Sequence, residues 1–320
     1  METQDPFLFA VYHKDHYPAG NENMEAPRIG NGSDFSQTAE YRMYHGRKIP
    51  GFPQHPHRGF ETVTCTIDGI IDHTDSLGCG GRYGNGDVQY MTAGKGIVHG
   101  ENFPLLHRDK PNPTRFFQLW LNLPARSKMV DPTQRMLWAE NIPCFQSKDQ
   151  KCNIRVWTGE LNGVKGLPPT PNSWAADAGN DVGIFLIQMA PFGKYLLPAC
   201  QSSSNRSLYF VEGSSLIVGD KMLPKSSLAV LSPASVELEN NGSDAADVLI
   251  LQGKPIGEPV VQHGPFVMNT QQEIYQAFAD YHKTQFGGWP WEEDAVIFPR
   301  EQGRFLEING KKEFPPKKEN

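Results

Sequence analysis

Glycine and proline interrupt this chain so often that long helices have little room. The 320 residues include 31 Gly and 26 Pro, and the apolar runs are cut into short pieces bounded by turn residues. Within the pieces the pattern is that of strands. "ETVTCTIDGIIDHT" alternates around an Asp-Gly pair, the strongest short-range hairpin signal. "GDVQYMTAG" and "RFFQLWLNLP" are rich in aromatic and β-branched residues and read the same way. From 124 to 180 the pattern breaks into Pro-, Asn- and Asp-containing pieces, a connection plus the first strands of a second unit. It resumes in "DVGIFLIQMAPFGKYLLPA", "SLYFVEGSSLIVGDKMLP", "SSLAVLSPASVELEN" and "DVLILQGKPI". Two all-β halves of similar size, built as sandwiches or barrels, are the expected result.

One helix is expected, near the C-terminus. Thr270 and Glu273 fit a capping box, in which hydroxyl and carboxylate reciprocally satisfy orphan backbone amides. Ile274, Ala277, Phe278 and Tyr281 follow at helical spacing, and Gly287-Gly288 ends the run. This stripe reads as core packing.

Bulk properties exclude several functions. A net charge of −6 argues against a general electrostatic grip on nucleic acid. The five cysteines (65, 79, 144, 152 and 200) show no C-x-x-C spacing and read as reduced thiols of an intracellular protein. The start lacks a basic segment followed by a sustained apolar one, so no signal peptide is expected, and no stretch suits a membrane span. The N-x-S sequons at Asn31, Asn205 and Asn241 then read as polar loops, and the "KKEN" ending as a solvated tail. No G-x-S-x-G elbow supports a hydrolase triad. "GCGGRYGNG" lacks the Lys-Ser/Thr context of a nucleotide loop and reads as a flexible hairpin.

The chemistry concentrates in "FPQHPHRGFETVTCTID". Pro56 forbids a helix interior, and on an extended segment His55 and His57 face the same way. Their spacing of about 6.6 Å lets both imidazoles reach one ion. In "TAGKGIVHGENF", His99 and Glu101 also share parity behind the turn glycines Gly94 and Gly96. Three imidazoles and one carboxylate suit Fe(II), Mn(II), Cu(II), Ni(II) or Zn(II), and match calcium poorly. Glu61 is a rival carboxylate, because it shares the parity of His55 and His57. Gln118 is a candidate polar liner of the pocket. Cys65 reads as a buried structural thiol, and His73, His107 and His263 have no ligand partner at useful spacing.

"HPHRGFETVT" followed by "GDVQYMTAGKGIVHGE" resembles the two signature motifs of the pirins, a branch of the cupins. The resemblance continues through "RFFQLWLNLP" and "GPFVMNTQQEIYQAFADY", and so covers nearly the whole chain. It implies two cupin-type double-stranded β-helix barrels packed face to face, with a short C-terminal helix. It implies a metal-binding domain over 1–130 and, over 131–320, a second cupin domain without a metal, plus the helix and tail. The implied metal ligands are His55, His57, His99 and Glu101, holding one divalent ion, usually Fe(II), with Mn, Cu, Ni, Zn or Co as alternatives. No histidine lies between His107 and His263, which agrees with a single centre. Two departures stand out: Gly100 replaces the usual Ser between His99 and Glu101, and Tyr90 stands where Trp is common.

The resemblance implies dioxygenase activity of the quercetin 2,3-dioxygenase type, with a flavonol or related enol and dioxygen as substrates and Glu101 also acting as the catalytic base. The alternative it carries is a non-enzymatic, iron- and redox-dependent regulator of transcription factors or metabolic enzymes. Expected partners are small molecules and other proteins, without direct nucleic-acid or membrane contact. A monomer in the cytoplasm or nucleus is the expected state.

Overall fold

The computed structural model describes residues 1–26 and 48–317. The sequon at Asn31 and residues 318–320 of the "KKEN" ending lie outside the described residues. The fold is nearly all-β, and its packing divides the chain into two compact units. One comprises residues 12–118, 125–140 and 259–320; the other comprises 1–11, 119–124 and 141–258. The expected boundary at 130 follows chain order, whereas packing places the segment from Pro259 onward with the unit that carries the histidine motifs.

The first strands in chain order are β1 (Phe7–Tyr17), β2 (Gly51–His57), β3 (Phe60–Asp68), β4 (Ile70–Asp75) and β5 (Gly80–Gly84). β6 (Val88–Thr92), β7 (Ile97–Asn102), β8 (Asn112–Asn122) and β9 (Thr133–Leu137) follow. They form two sheets, one ordered β1-β8-β3-β6-β9 and one running β2-β7-β4-β5. Inward residues of both sheets, among them Tyr17, Ile71, Tyr83, Phe116 and Met136, share one apolar core with Phe103 just beyond β7. Each fully buried aromatic or large aliphatic side chain of this kind contributes about 1.5–3 kcal/mol.

The Asp68-Gly69 pair corrects the hairpin expectation. β3 and β4 flank it as the alternation predicts, but they belong to different sheets. Gly69, at φ +90°, turns a corner between the two sheets, and an added Cβ would meet Thr114 Oγ1 at 2.8 Å. Alternation identifies strands, but sheet membership depends on partners far along the chain.

The other unit holds β10 (Cys144–Gln146), β11 (Cys152–Thr158), β12 (Glu160–Leu161), β13 (Val164–Lys165), β14 (Gly183–Met189) and β15 (Lys194–Leu197). It continues through β16 (Asn205–Glu212), β17 (Leu216–Val218), β18 (Lys221–Leu223), β19 (Ser227–Leu231), β20 (Val236–Asn240) and β21 (Ala246–Gly253). Its main sheet runs β10-β11-β14-β21-β16-β19, with β15-β20-β17-β18 as a second layer. Ile154, Phe185, Leu208, Phe210, Val248 and Ile250 belong to the core between the layers.

In the histidine-bearing unit, the closing segment adds β22 (Val261–His263), β23 (Phe266–Met268), the helix α1 (Gln271–Thr284), β24 (Phe305–Ile308) and β25 (Lys311–Glu313). α1 begins at the expected cap: Thr270 Oγ1 accepts from Glu273 N, and the Glu273 carboxylate accepts from Thr270 N at 2.8 Å. Ile274 and Ala277 are buried against Phe266 and Met268, while Phe278 is 39% exposed. β24 and β25 extend the β2-β7-β4-β5 sheet beyond β5, so part of the expected tail is strand. Among the described residues, no helix is long and apolar enough to cross a membrane.

Candidate metal centre

β2 and β7 run antiparallel and place His55 directly opposite His99. The register shifts between Phe52 and His55, a bulge that re-aims the two histidines beyond it. The ring centroids of His55, His57 and His99 lie 4.4–5.0 Å apart. One ligand atom from each of the three falls within 4.8 Å of the others.

The electrostatics favour neutral rings. Burial lowers His57 and His99 well below the ordinary imidazole range, and the neighbouring histidines add to the effect. His55, which is half-buried, is lowered more mildly, because the Pro53 carbonyl and Glu101 oppose the cost of burial. Its Nδ1 lies 2.8 Å from Pro53 O. A carbonyl only accepts, so Nδ1 carries the proton and leaves Nε2 with its lone pair. His99 is fully buried, and neither of its ring nitrogens has a hydrogen-bond partner among the described residues. Burying both nitrogens unsatisfied is costly unless a further partner takes one of them. A metal ion fits that requirement and the donor set.

Glu101 lies on the same face of β7 as His99, but its carboxylate is outside the three-imidazole group. Three side chains hold it: Thr64 Oγ1 donates to Oε1 at 3.1 Å, Tyr83 OH to Oε1 at 3.3 Å, and Gln118 Nε2 to Oε2 at 2.6 Å. Burial, then the Glu101 charge, pushes the Tyr83 phenol well above its ordinary range, so it stays a donor. Gln118 therefore acts on the carboxylate of this pocket.

Glu61 lies elsewhere. Thr64 bonds Glu101, and Glu61, three residues earlier on β3, has the opposite parity. Its Oε1 instead accepts from Thr92 Oγ1 at 2.6 Å. Parity counted from His57 fails because Gly59, at φ +88°, separates β2 from β3. Cys65 shares Glu61's parity, and burial pushes its thiol well above the ordinary range.

His73 belongs to the pocket wall, which spacing within the sequence did not reveal. β4 pairs with β7 so that His73 faces Glu101 and Asp75 faces His99. The His73 ring lies 5.4 Å from that of His99, and its Nε2 sits 3.2 Å from Asp75 Oδ2. Gln134 Nε2 also donates to Asp75 Oδ2, at 3.1 Å, and Gln89 Nε2 to Gln134 Oε1. The available signal was the period-two placement of Ile71, His73 and Asp75, with Ile71 in the core. His107 and His263 are not part of the group. At Gly100 an added Cβ would meet nothing closer than 3.5 Å, so packing does not demand glycine there.

Two small-barrel units, one of them carrying buried histidines on facing strands, define a two-domain protein of the cupin class. Comparison with known proteins narrows this. The Pirin family model matches residues 2–121, and the model of the Pirin C-terminal cupin domain matches residues 186–287. Human pirin is 34% identical over 268 residues, 82% of this chain and 85% of that protein. A tomato pirin-like protein is 36% identical over 260 residues, 80% of this chain and 82% of its own. The crystal structure of a quercetin 2,3-dioxygenase from Acinetobacter baumannii superposes with a TM-score of 0.71 at 30% identity, covering 88% of this chain and 86% of that one. The chain belongs to the pirin family.

Proposed function

We propose that this protein is a mononuclear metal-dependent dioxygenase acting on flavonols or related enols, with Fe(II) held by His55, His57, His99 and Glu101. The observation that carries the reading is the meeting of three neutral imidazoles within 4.8 Å, one with both nitrogens buried and without a hydrogen-bond partner among the described residues. Similarity to a protein named as a quercetin 2,3-dioxygenase supports the substrate class. When bound, such an ion supplies Lewis acidity toward an enol oxygen and an open position for dioxygen.

The chain's own residues do the rest. The Pro53 carbonyl fixes the His55 tautomer. Glu101, oriented by Thr64, Tyr83 and Gln118, accepts the proton of the substrate hydroxyl. Phe52, Phe103 and Phe116, which pack together and around His13, form an aromatic wall that limits water at the pocket.

Elemental analysis joined to an oxygen-electrode assay with quercetin tests the proposal. Stoichiometric metal and oxygen uptake, both lost in His57→Ala, are expected. Metal retained without turnover across a panel of flavonols and enols would overturn the dioxygenase reading in favour of a regulatory one.

A further inference from the structure

The unit of residues 1–11, 119–124 and 141–258 contains no histidine, yet its barrel ends in a polar pair. Arg206 on β16 and Gln252 on β21 are direct cross-strand partners. They share the parity of Leu208, Phe210, Val248 and Ile250, which fill the apolar core. The apolar filling stops at this pair, and a cavity of about 700 Å³ opens over it.

Arg206 is only 1% exposed. Gln252 Oε1 accepts from its Nε at 3.2 Å and Nη2 at 2.9 Å, and Pro198 O accepts from Nη1 at 2.9 Å. A guanidinium carries five N–H donors, so two have no acceptor among the described residues. Asp181 feels the Arg206 charge but forms no ion pair with it. Its carboxylate is committed to Gln201 N, Ser204 Oγ and Gln252 Nε2.

Arg82, the other arginine below 2% exposure among the described residues, is a contrast. It spends every donor, two on the Asp72 carboxylate and three on the carbonyls of Phe298, Pro299 and Gln302. A buried cation left without a carboxylate invites an anion from outside.

The wall of the cavity selects which anion. Glu160, Asp177 and Asp181 outnumber Lys165 and Arg206, which disfavours a dianion. Leu161, Leu167 and Ala199 give the same cavity an apolar part of its lining. We propose that the mouth of this second barrel binds a small organic monocarboxylate, its carboxylate on the two remaining N–H groups of Arg206 and its apolar body against Leu161, Leu167 and Ala199. The site is separate from the histidine pocket and does not depend on the activity assigned to it.

Cys200 lines the cavity and is half-buried, and the Arg206 charge acts on its thiol, so it reports on the site. The test measures iodoacetamide alkylation of Cys200 in the metal-loaded protein with and without benzoate. Exposed Cys144 serves as internal control. Benzoate is expected to slow alkylation of Cys200 and leave Cys144 unaffected. Arg206→Gln should weaken this protection about tenfold or more, the loss of one charged hydrogen-bonding partner. Cys200→Asp, which sets a fixed carboxylate beside the guanidinium, should abolish benzoate binding measured by calorimetry at an equal or higher melting temperature. Absence of protection, protection that survives in Arg206→Gln, or equal protection by inorganic phosphate would each overturn the proposal.

Discussion

Gln118 Nε2 donates to Glu101 Oε2 at 2.6 Å, while the other carboxylate oxygen takes Thr64 and Tyr83. The carboxylate is therefore oriented from both sides by groups that would not themselves touch a metal. Replacing Gln118 by Leu keeps the volume and removes the donor. Metal affinity or oxygen uptake should fall about 10–100-fold, as for other partners that orient ligands. Competition with a chelator and the kcat for oxygen uptake measure the two effects, and unchanged values for both would remove Gln118 from the site.

The two glutamates should separate cleanly. Glu101→Gln is expected to lower metal content, because the amide is a poor anionic ligand. Glu61→Gln should retain metal and lose stability instead, since Glu61 is fully buried and bonded to Thr92. Disturbing a buried hydrogen bond costs about 1–3 kcal/mol. Elemental analysis and urea denaturation of both variants decide the matter. Full metal in Glu101→Gln would displace it from the ligand set.

Arg82 ties the closing segment to the sheet. Its bidentate pair with Asp72 is almost wholly buried, and its other donors hold three carbonyls between Phe298 and Gln302. Burial pushes the Asp72 carboxyl up while the Arg82 pairing holds it down. Arg82→Ala leaves that carboxyl without its cation and should cost about 3–5 kcal/mol. Proteolysis should then cut near residues 298–302 first. A denaturation midpoint equal to that of the native protein would show that the pairing carries no net stability.

Gly96 permits a close contact from Phe286. It sits at φ +137°, and an added Cβ would lie 2.6 Å from the Phe286 ring, which also stacks under the Arg58 guanidinium. Arg58 in turn reaches Lys95 O at 2.6 Å and Asp280 Oδ2 at 2.8 Å. Gly96→Ala should destabilise by about 1–3 kcal/mol through overpacking, read as a lower urea midpoint at unchanged slope. A neutral result would mean that Phe286 moves aside freely.

What the sequence disclosed follows the range of each interaction. His55, His57 and His99 were legible because strand parity is a local property and the proline fixes an extended backbone. The capped start of α1 was legible because Thr270 and Glu273 are three residues apart. Glu61 stood as a rival to Glu101 only because Gly59 resets the parity between two strands that look continuous in sequence. The Asp68-Gly69 turn misled because a corner and a hairpin have the same local chemistry. His73 and Asp75 escaped notice because they meet the pocket through pairing with β7, about 26 residues away in sequence, a register that alternation alone does not specify.

The buried imidazoles also fix how stability depends on pH. His57 and His99 titrate well below the free imidazole value in the native state, and burial is the main cause. In the unfolded chain they titrate at about 6.5. As pH falls through that value the unfolded chain takes up protons that the native chain refuses, so acid lowers stability. The metal-free protein should lose melting temperature steadily between about pH 7 and pH 5, with roughly 1.4 kcal/mol for each unit of pKa difference per histidine. His99→Phe should flatten the curve, and added metal should shift the loss to lower pH because it binds only the native state. Thermal melts of the three samples across this range are the measurement. A metal-free curve that stays level down to pH 5 would mean that these rings are already charged in the folded protein.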